Sequence, residues 1–139
     1  MKSTLLLMFA LGILGSSQAQ PLTFEITGIQ KTKGEILVSI FNQPDGFPFD
    51  TGKAIKLLKG TASNGQVAFK VDALPAGKYA IACFHDINGD GILNTNLLGI
   101  PKEGYGVSNN AFNTFSAPHF EASSFKHSQQ THLQFKMKY

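Results

Sequence analysis

Near its end the chain alternates without a break: Leu133, Phe135, Met137 and Tyr139 fall on one side, Gln134, Lys136 and Lys138 on the other. A period of two sends successive side chains to opposite faces, which a helix at about 3.6 residues per turn does not do. The pattern recurs upstream. Leu22-Thr23-Phe24-Glu25-Ile26 alternates, Val67, Phe69 and Val71 alternate with Ala68 and Lys70, and Gly34–Phe41 is a β-branched, nearly continuous apolar run. Between these runs stand turn residues: Pro44-Asp45-Gly46, Asn64-Gly65, and Pro75-Ala76-Gly77 ahead of a further strand, Tyr79–Phe84. Ala54–Lys59 fits either a strand or a helical turn, and no stretch reads as a convincing helix. Short strands with turns at intervals of about 8–12 residues predict an all-β fold. The expectation is a single antiparallel β-sandwich of about seven strands, with a small barrel as the competing form.

The N-terminus follows a different logic. Lys2 precedes the apolar run Leu5–Leu14, and Ser17-Gln18-Ala19 offers a small residue on either side of a cleavage point. That is the order of a secretory leader, and the run is too short to span a bilayer. Residues 1–19 are therefore read as a signal peptide and residues 20–139 as one β-sandwich domain. The expected location is outside the cytoplasm, periplasmic or secreted, with no membrane span after processing. Formal net charge is only +3, and the lysines are scattered, so a nucleic-acid partner is not expected. Cys83 is the single cysteine, which excludes an intrachain disulfide. In its strand-like run it reads as a buried, inert thiol.

One loop carries oxygen ligands at a recognisable spacing. In Asp86-Ile87-Asn88-Gly89-Asp90-Gly91, three oxygen-bearing side chains alternate and a turn glycine follows, as in the first half of an EF-hand calcium loop. The expected metal ligands are Asp86, Asn88 and Asp90, the Ile92 backbone carbonyl, and the amides of Asn94 and Asn96. Leu97 stands where that pattern places its bidentate glutamate, so Glu103 is the candidate for the missing carboxylate. The cofactor implied is Ca2+, at the weak affinities usual for exported modules. The competing reading needs no ion: Asp and Asn make Asx-turns and Gly91 takes a positive φ. From Leu93 to Ala117 the chain is rich in Gly and Asn, a long loop read as an ordered excursion packed on one end of the sandwich. Tyr105, Asn109, Asn110 and Phe112 within it suit a carbohydrate or peptide surface, or else a loop satisfied by its own amides.

The block from His85 to Asn96, followed by Gly99-Ile100-Pro101-Lys102-Glu103-Gly104-Tyr105-Gly106 and Ser108-Asn109-Asn110, resembles a family of exported bacterial proteins designated domain of unknown function 2141. The resemblance runs from about Leu22 to Tyr139. It implies an exported β-sandwich domain, brings no established activity, and leads to an acidic residue being expected where Asn94 stands. The Leu74–Tyr79 turn also looks like those of prealbumin-like sandwiches, which makes a prealbumin-like or Ig-like form the expected type.

Catalytic signatures are missing: there is no Gly-x-Ser-x-Gly, no phosphate-cradling loop and no His-Glu-x-x-His. The transthyretin-like hydrolase ends in Tyr-Arg-Gly-Ser, whereas this chain ends Phe135-Lys136-Met137-Lys138-Tyr139 and contains no arginine. The leading expectation is a non-catalytic exported module with a calcium-stabilised loop, whose partner is a carbohydrate or an envelope protein. A purely structural envelope protein needs the same fold and no ion. The alternative from another class is a small metal-dependent hydrolase, or a metal-binding protein, built on His85, Asp86 and Glu103. Cys83 and His85 share a strand face and would allow a transition metal there.

Overall fold

The structure is a computed structural model that describes residues 18–139. Most of the expected leader, residues 1–17, lies outside the described residues. The rest is all-β, with eight strands, one α-helical turn and two 3-10 turns, Thr51–Lys53 and Ser108–Asn110. In chain order they are β1 (Gln20–Ile29), β2 (Glu35–Phe41), β3 (Lys56–Thr61), β4 (Gly65–Leu74), β5 (Gly77–Asp86), β6 (Tyr105–Val107), α1 (Phe120–Ser123), β7 (Ser124–His127) and β8 (Thr131–Lys136). Every strand and both apolar clusters lie within Gln20–Tyr139. Among the described residues no helix is long and apolar enough to cross a membrane.

Two open sheets face one another. The first has the order β4-β1-β8, the second β3-β2-β5, with β6 and β7 sharing the far edge of β5. β7 takes Gly77–Ala80 and β6 takes Ala82–Phe84. The expectation of a purely antiparallel arrangement is corrected at one place. β1 and β8, the first and last strands, run parallel, with Phe24 opposite Leu133 and Ile26 opposite Phe135. A parallel pair needs a crossover, and here almost the whole chain intervenes between its two strands.

The alternating faces meet between the sheets. Leu22, Phe24 and Ile26 of β1 face Ile36, Val38 and Ile40 of β2 and Tyr79, Ile81 and Cys83 of β5, with Phe135 closing the layer. Phe24 is the centre of an aromatic stack, 5.2 Å from Phe69 and 6.1 Å from Phe135 between ring centroids. Burial pushes the Cys83 thiol up, well beyond the range in which it forms a thiolate, against a smaller opposing effect from the Gly106 N–H.

A second cluster explains why β2 and β5 read as continuous apolar runs. Phe41, Ala80, Ala82 and Val107 are buried on the outer face of the second sheet, under Phe47 and Phe120. A strand covered on both faces has no polar side to alternate with.

The Leu93–Ala117 excursion also differs from expectation. It does not stay at one end: Tyr105–Val107 inserts as β6, and Phe112 packs against the second cluster. β6 also meets the first sheet, through paired backbone bonds between Tyr105 and Lys138 (2.9 and 2.8 Å). The Asn110 carboxamide accepts from the Lys136 N–H at 2.7 Å beside them.

His127 fastens the opposite end. It is fully buried, with Nε2 facing the carbonyls of Leu74 (3.1 Å) and Gln20 (3.2 Å) and Nδ1 facing the Thr131 hydroxyl (2.8 Å). One ring thus ties β7 to the end of the first sheet where β1 begins and β4 finishes.

Truncating the centre of the aromatic stack tests this core. Phe24→Ala is expected to cost about 3–5 kcal/mol, because the space left between the Phe69 and Phe135 rings cannot collapse without moving both sheets. Urea unfolding midpoints of the two proteins measure it.

Candidate functional site

β5 ends at Asp86, beside Glu35 at the start of β2. There the strand must stop and the chain must turn, which leaves backbone donors without ladder partners. The Asp86 carboxylate meets three of them. Oδ1 accepts from the N–H groups of Gly89 (2.8 Å) and Asp90 (3.2 Å), and Oδ2 accepts from Gly91 (2.9 Å). Wrapping amides around one carboxylate requires left-handed backbone at Gly89 (φ +76°) and Gly91 (φ +75°). A Cβ at either position would meet nothing, so glycine is needed there for its backbone and not for space.

Asn88, Asp90 and Asn94 gather above this nest. Asp90 Oδ2 accepts from Asn88 Nδ2 (3.0 Å) and Asn94 Nδ2 (2.9 Å), and Asn94 Oδ1 accepts from Asn88 Nδ2 (3.0 Å). Asx-turns run beneath: Asn88 Oδ1 takes the Asp90 N–H at 3.2 Å, and Asp90 Oδ1 takes the Ile92 N–H at 2.9 Å. The carboxamide of Asn94 and the Ile92 N–H hold the exposed Asp90 carboxyl below the ordinary aspartate value of 3.8.

Glu103 works from below. Only 7% exposed, it accepts from the Ile87 N–H through Oε1 (3.0 Å) and from the Asn94 N–H through Oε2 (3.1 Å). Its two oxygens pin the two ends of the turn together. Asn96 belongs to a separate unit: its Oδ1 accepts from Leu98 (2.9 Å) and Ile100 (3.0 Å), away from Asp90.

Of the expected ligands, then, Asn88, Asp90 and Asn94 come together at the surface. Asp86 and Glu103 support the loop from inside, the Ile92 side chain faces solvent, and Asn96 caps the next turn. Among the described residues no three His, Cys, Asp or Glu side chains group as metal ligands. Amide and carbonyl oxygens stand outside such a grouping.

His85 has a structural surrounding that its neighbours in sequence do not reveal. It is fully buried, with Nε2 2.8 Å from the Lys33 carbonyl and Nδ1 2.7 Å from the Tyr139 hydroxyl. The carbonyl requires the proton on Nε2, so Nδ1 accepts from Tyr139. The same hydroxyl oxygen accepts from the Gln30 N–H at 3.2 Å. Burial raises the Tyr139 phenol above its usual value, which keeps it protonated as that bond needs. His85, Asp86 and Glu103 are each engaged by different partners and do not point at a common space.

Two outcomes follow from this geometry. Because the Asp90 carboxyl is lowered in the fold, its contribution is complete above the unfolded aspartate value, about 3.9, and fades as pH falls through the lower folded value. Wild type is therefore expected to lose more stability than Asp90→Asn between about pH 5 and pH 2, read from urea midpoints at each pH. Tyr139→Phe leaves His85 Nδ1 buried without a donor and is expected to cost about 1–3 kcal/mol at neutral pH.

No curated protein and no solved structure gives a significant match to the chain. The family described as uncharacterized protein conserved in bacteria (DUF2141) matches it over residues 24–134, and the chain belongs to that family.

Proposed function

We propose that the protein is an exported, non-catalytic β-sandwich module of the prealbumin-like or Ig-like type. In this reading residues 1–19 are a leader, the Asp86–Asn96 loop is organised by Ca2+, and the ordered loop serves a binding or envelope-associated role. The observation that carries it is the meeting of Asn88, Asp90 and Asn94, at EF-hand positions 3, 5 and 9, with side-chain polar atoms 2.9–3.0 Å apart. Oxygens around one calcium ion sit at comparable spacing. The oxygen and nitrogen of a carboxamide occupy nearly the same shape, so rotating Asn88 and Asn94 about their last bond turns two amide oxygens toward the Asp90 carboxylate, in exchange for the Asn88 Oδ1 bond to the Asp90 N–H.

Asp86 supports the reading differently from an ordinary ligand. Its oxygens hold the amides of Gly89, Asp90 and Gly91, and so fix the curvature on which the three upper side chains depend. Glu103 fixes the loop's two ends in the same way. The carboxylate directly at the surface is that of Asp90, and a site so poor in charge suits the weak, near-millimolar binding of extracellular modules.

Thermal melts of Gln20–Tyr139 in excess calcium, magnesium and chelator test the proposal. A ligand bound only by the folded state stabilises it by about 2.7 kcal/mol at a hundredfold excess over its dissociation constant. A rise selective for calcium and absent in Asp90→Ala is expected. Identical midpoints in all three solutions would leave the loop an Asx-turn and overturn the calcium assignment.

A further inference from the structure

Beyond Asn94 the loop doubles back as a short hairpin. The Lys102 N–H donates to the Asn94 carbonyl (2.8 Å), Thr95 bridges Pro101, and the Asn96 N–H donates to the Ile100 carbonyl (2.9 Å). At its tip stand Leu97, fully exposed, and Leu98, 84% exposed, with Ile100 at 57% and Ile92 at 64% close by in the chain. Four aliphatic side chains held out in water at one loop are unusual, since exposed apolar groups that cluster mark an interaction surface.

The tip is not loose. Gly99 turns left-handed at φ +78°, and its N–H donates to the Asn96 carbonyl at 3.0 Å. The Asn96 carboxamide oxygen takes the Leu98 and Ile100 N–H groups. Three consecutive backbone donors, Leu98 to Ile100, are thereby satisfied within the hairpin, which lowers the cost of bringing the turn out of water.

Lysines stand in the hairpin and at the end of the molecule from which it projects. Glu35 opposite Asp86 places the β1–β2 loop at this end, and the Lys33 carbonyl binds His85 at the root of the excursion. Lys31, Lys33 and Lys102 are exposed and lie beyond salt-bridge distance of any carboxylate among the described residues. The acids of the same end are largely engaged: Asp86 and Glu103 by backbone amides, Glu35 by Lys59 at 3.4 Å. Asp90 is exposed, with its carboxylate held by Asn88 and Asn94.

We propose that the Leu97-Leu98-Gly99-Ile100 tip inserts into the interfacial zone of an anionic lipid surface, with Lys31, Lys33 and Lys102 against the headgroups. A stable protein interface buries about 1,200–2,000 Å² in total across a broad patch. A two-leucine point offers far less, yet shallow insertion needs only a narrow apolar tip with most of its amides already bonded, together with nearby positive charge. The proposal does not rest on the calcium reading, because the hairpin bonds run through Asn94, Asn96 and Gly99 and require no ion.

Sedimentation of Gln20–Tyr139 with vesicles tests it, in calcium and in chelator. Vesicles of phosphatidylglycerol with phosphatidylethanolamine are compared with neutral phosphatidylcholine vesicles. Binding to the anionic vesicles in at least one of the two solutions is expected, weakening as salt rises. Leu97→Asn with Leu98→Asn is expected to lower that binding about tenfold or more, with an unchanged melt because both side chains are already in water. Replacing Lys31, Lys33 and Lys102 with glutamine is expected to lower it about tenfold as well. Absence of wild-type binding in both solutions overturns the proposal, as does full retention by the leucine variant. Binding that ignores lipid charge and survives the lysine replacements overturns the assignment to an anionic surface. Self-association that the leucine variant abolishes, without vesicle binding, assigns the tip to a second copy of the chain instead.

Discussion

The burial of β5 on both faces, and its termination at Asp86, is the constraint on which the rest of the structure depends. Tyr79, Ile81 and Cys83 enter the core between the sheets, while Ala80 and Ala82 lie under the outer cluster. A strand so covered has no solvated side on which to relax, and its register with β2 fixes where it stops. At that point the chain emerges with unpaired amides at the edge of a buried region. One carboxylate with three backbone donors resolves this. Loop, hairpin and β6 all start from the direction Asp86 gives the chain.

His85, one residue earlier, performs the inward half of the same task. Its two ring nitrogens hold the β1–β2 loop and the last residue of the chain against the end of β5. Gly34 must lie there without a side chain, since a Cβ would stand 2.1 Å from the Asp86 carbonyl oxygen. At the other end of the molecule His127 does comparable work between β7, β4 and β1. Both imidazoles place two ring nitrogens against polar groups of different segments in a shape that fits between strands, which suits them to joining chain segments that share no ladder.

Much of this was legible in the chain. Alternation located β1, β4 and β8, the continuous runs located β2 and β5, and Asn64-Gly65 located the turn before β4. The ambiguous Ala54–Lys59 stretch resolves into β3 from Lys56, because Leu58 can pack toward the core while Leu57 faces out. β6 and β7 were not legible. Three and four residues are too few to establish a period, and both exist because β5 offers an open edge. The parallel β1–β8 pair likewise has no local signature. It joins residues more than 100 positions apart and depends on both strands presenting the same apolar face.

The loop was legible in composition but not in allocation. Spacing identifies which residues carry oxygen, yet backbone amides compete for the same oxygens, and only burial decides the winner. Asp86 and Glu103 sit below the surface, where an unpaired N–H is expensive, so their oxygens go to amides. Asn88, Asp90 and Asn94 lie further out and find each other. Leu97 stands at the position where an EF-hand would close on its ion, and it points directly into solvent.

That orientation follows from how the loop divides its polar groups. A flexible segment carrying two adjacent leucines would fold them back onto the nearest apolar surface. Asn96 prevents this by committing its oxygen to Leu98 and Ile100, so that the turn is set by side-chain-to-backbone bonds and not by burial of the leucines. Polar order inside the loop and apolar exposure outside it are thus one arrangement: the asparagines that satisfy the backbone are what allow the leucines to remain in water at a fixed place.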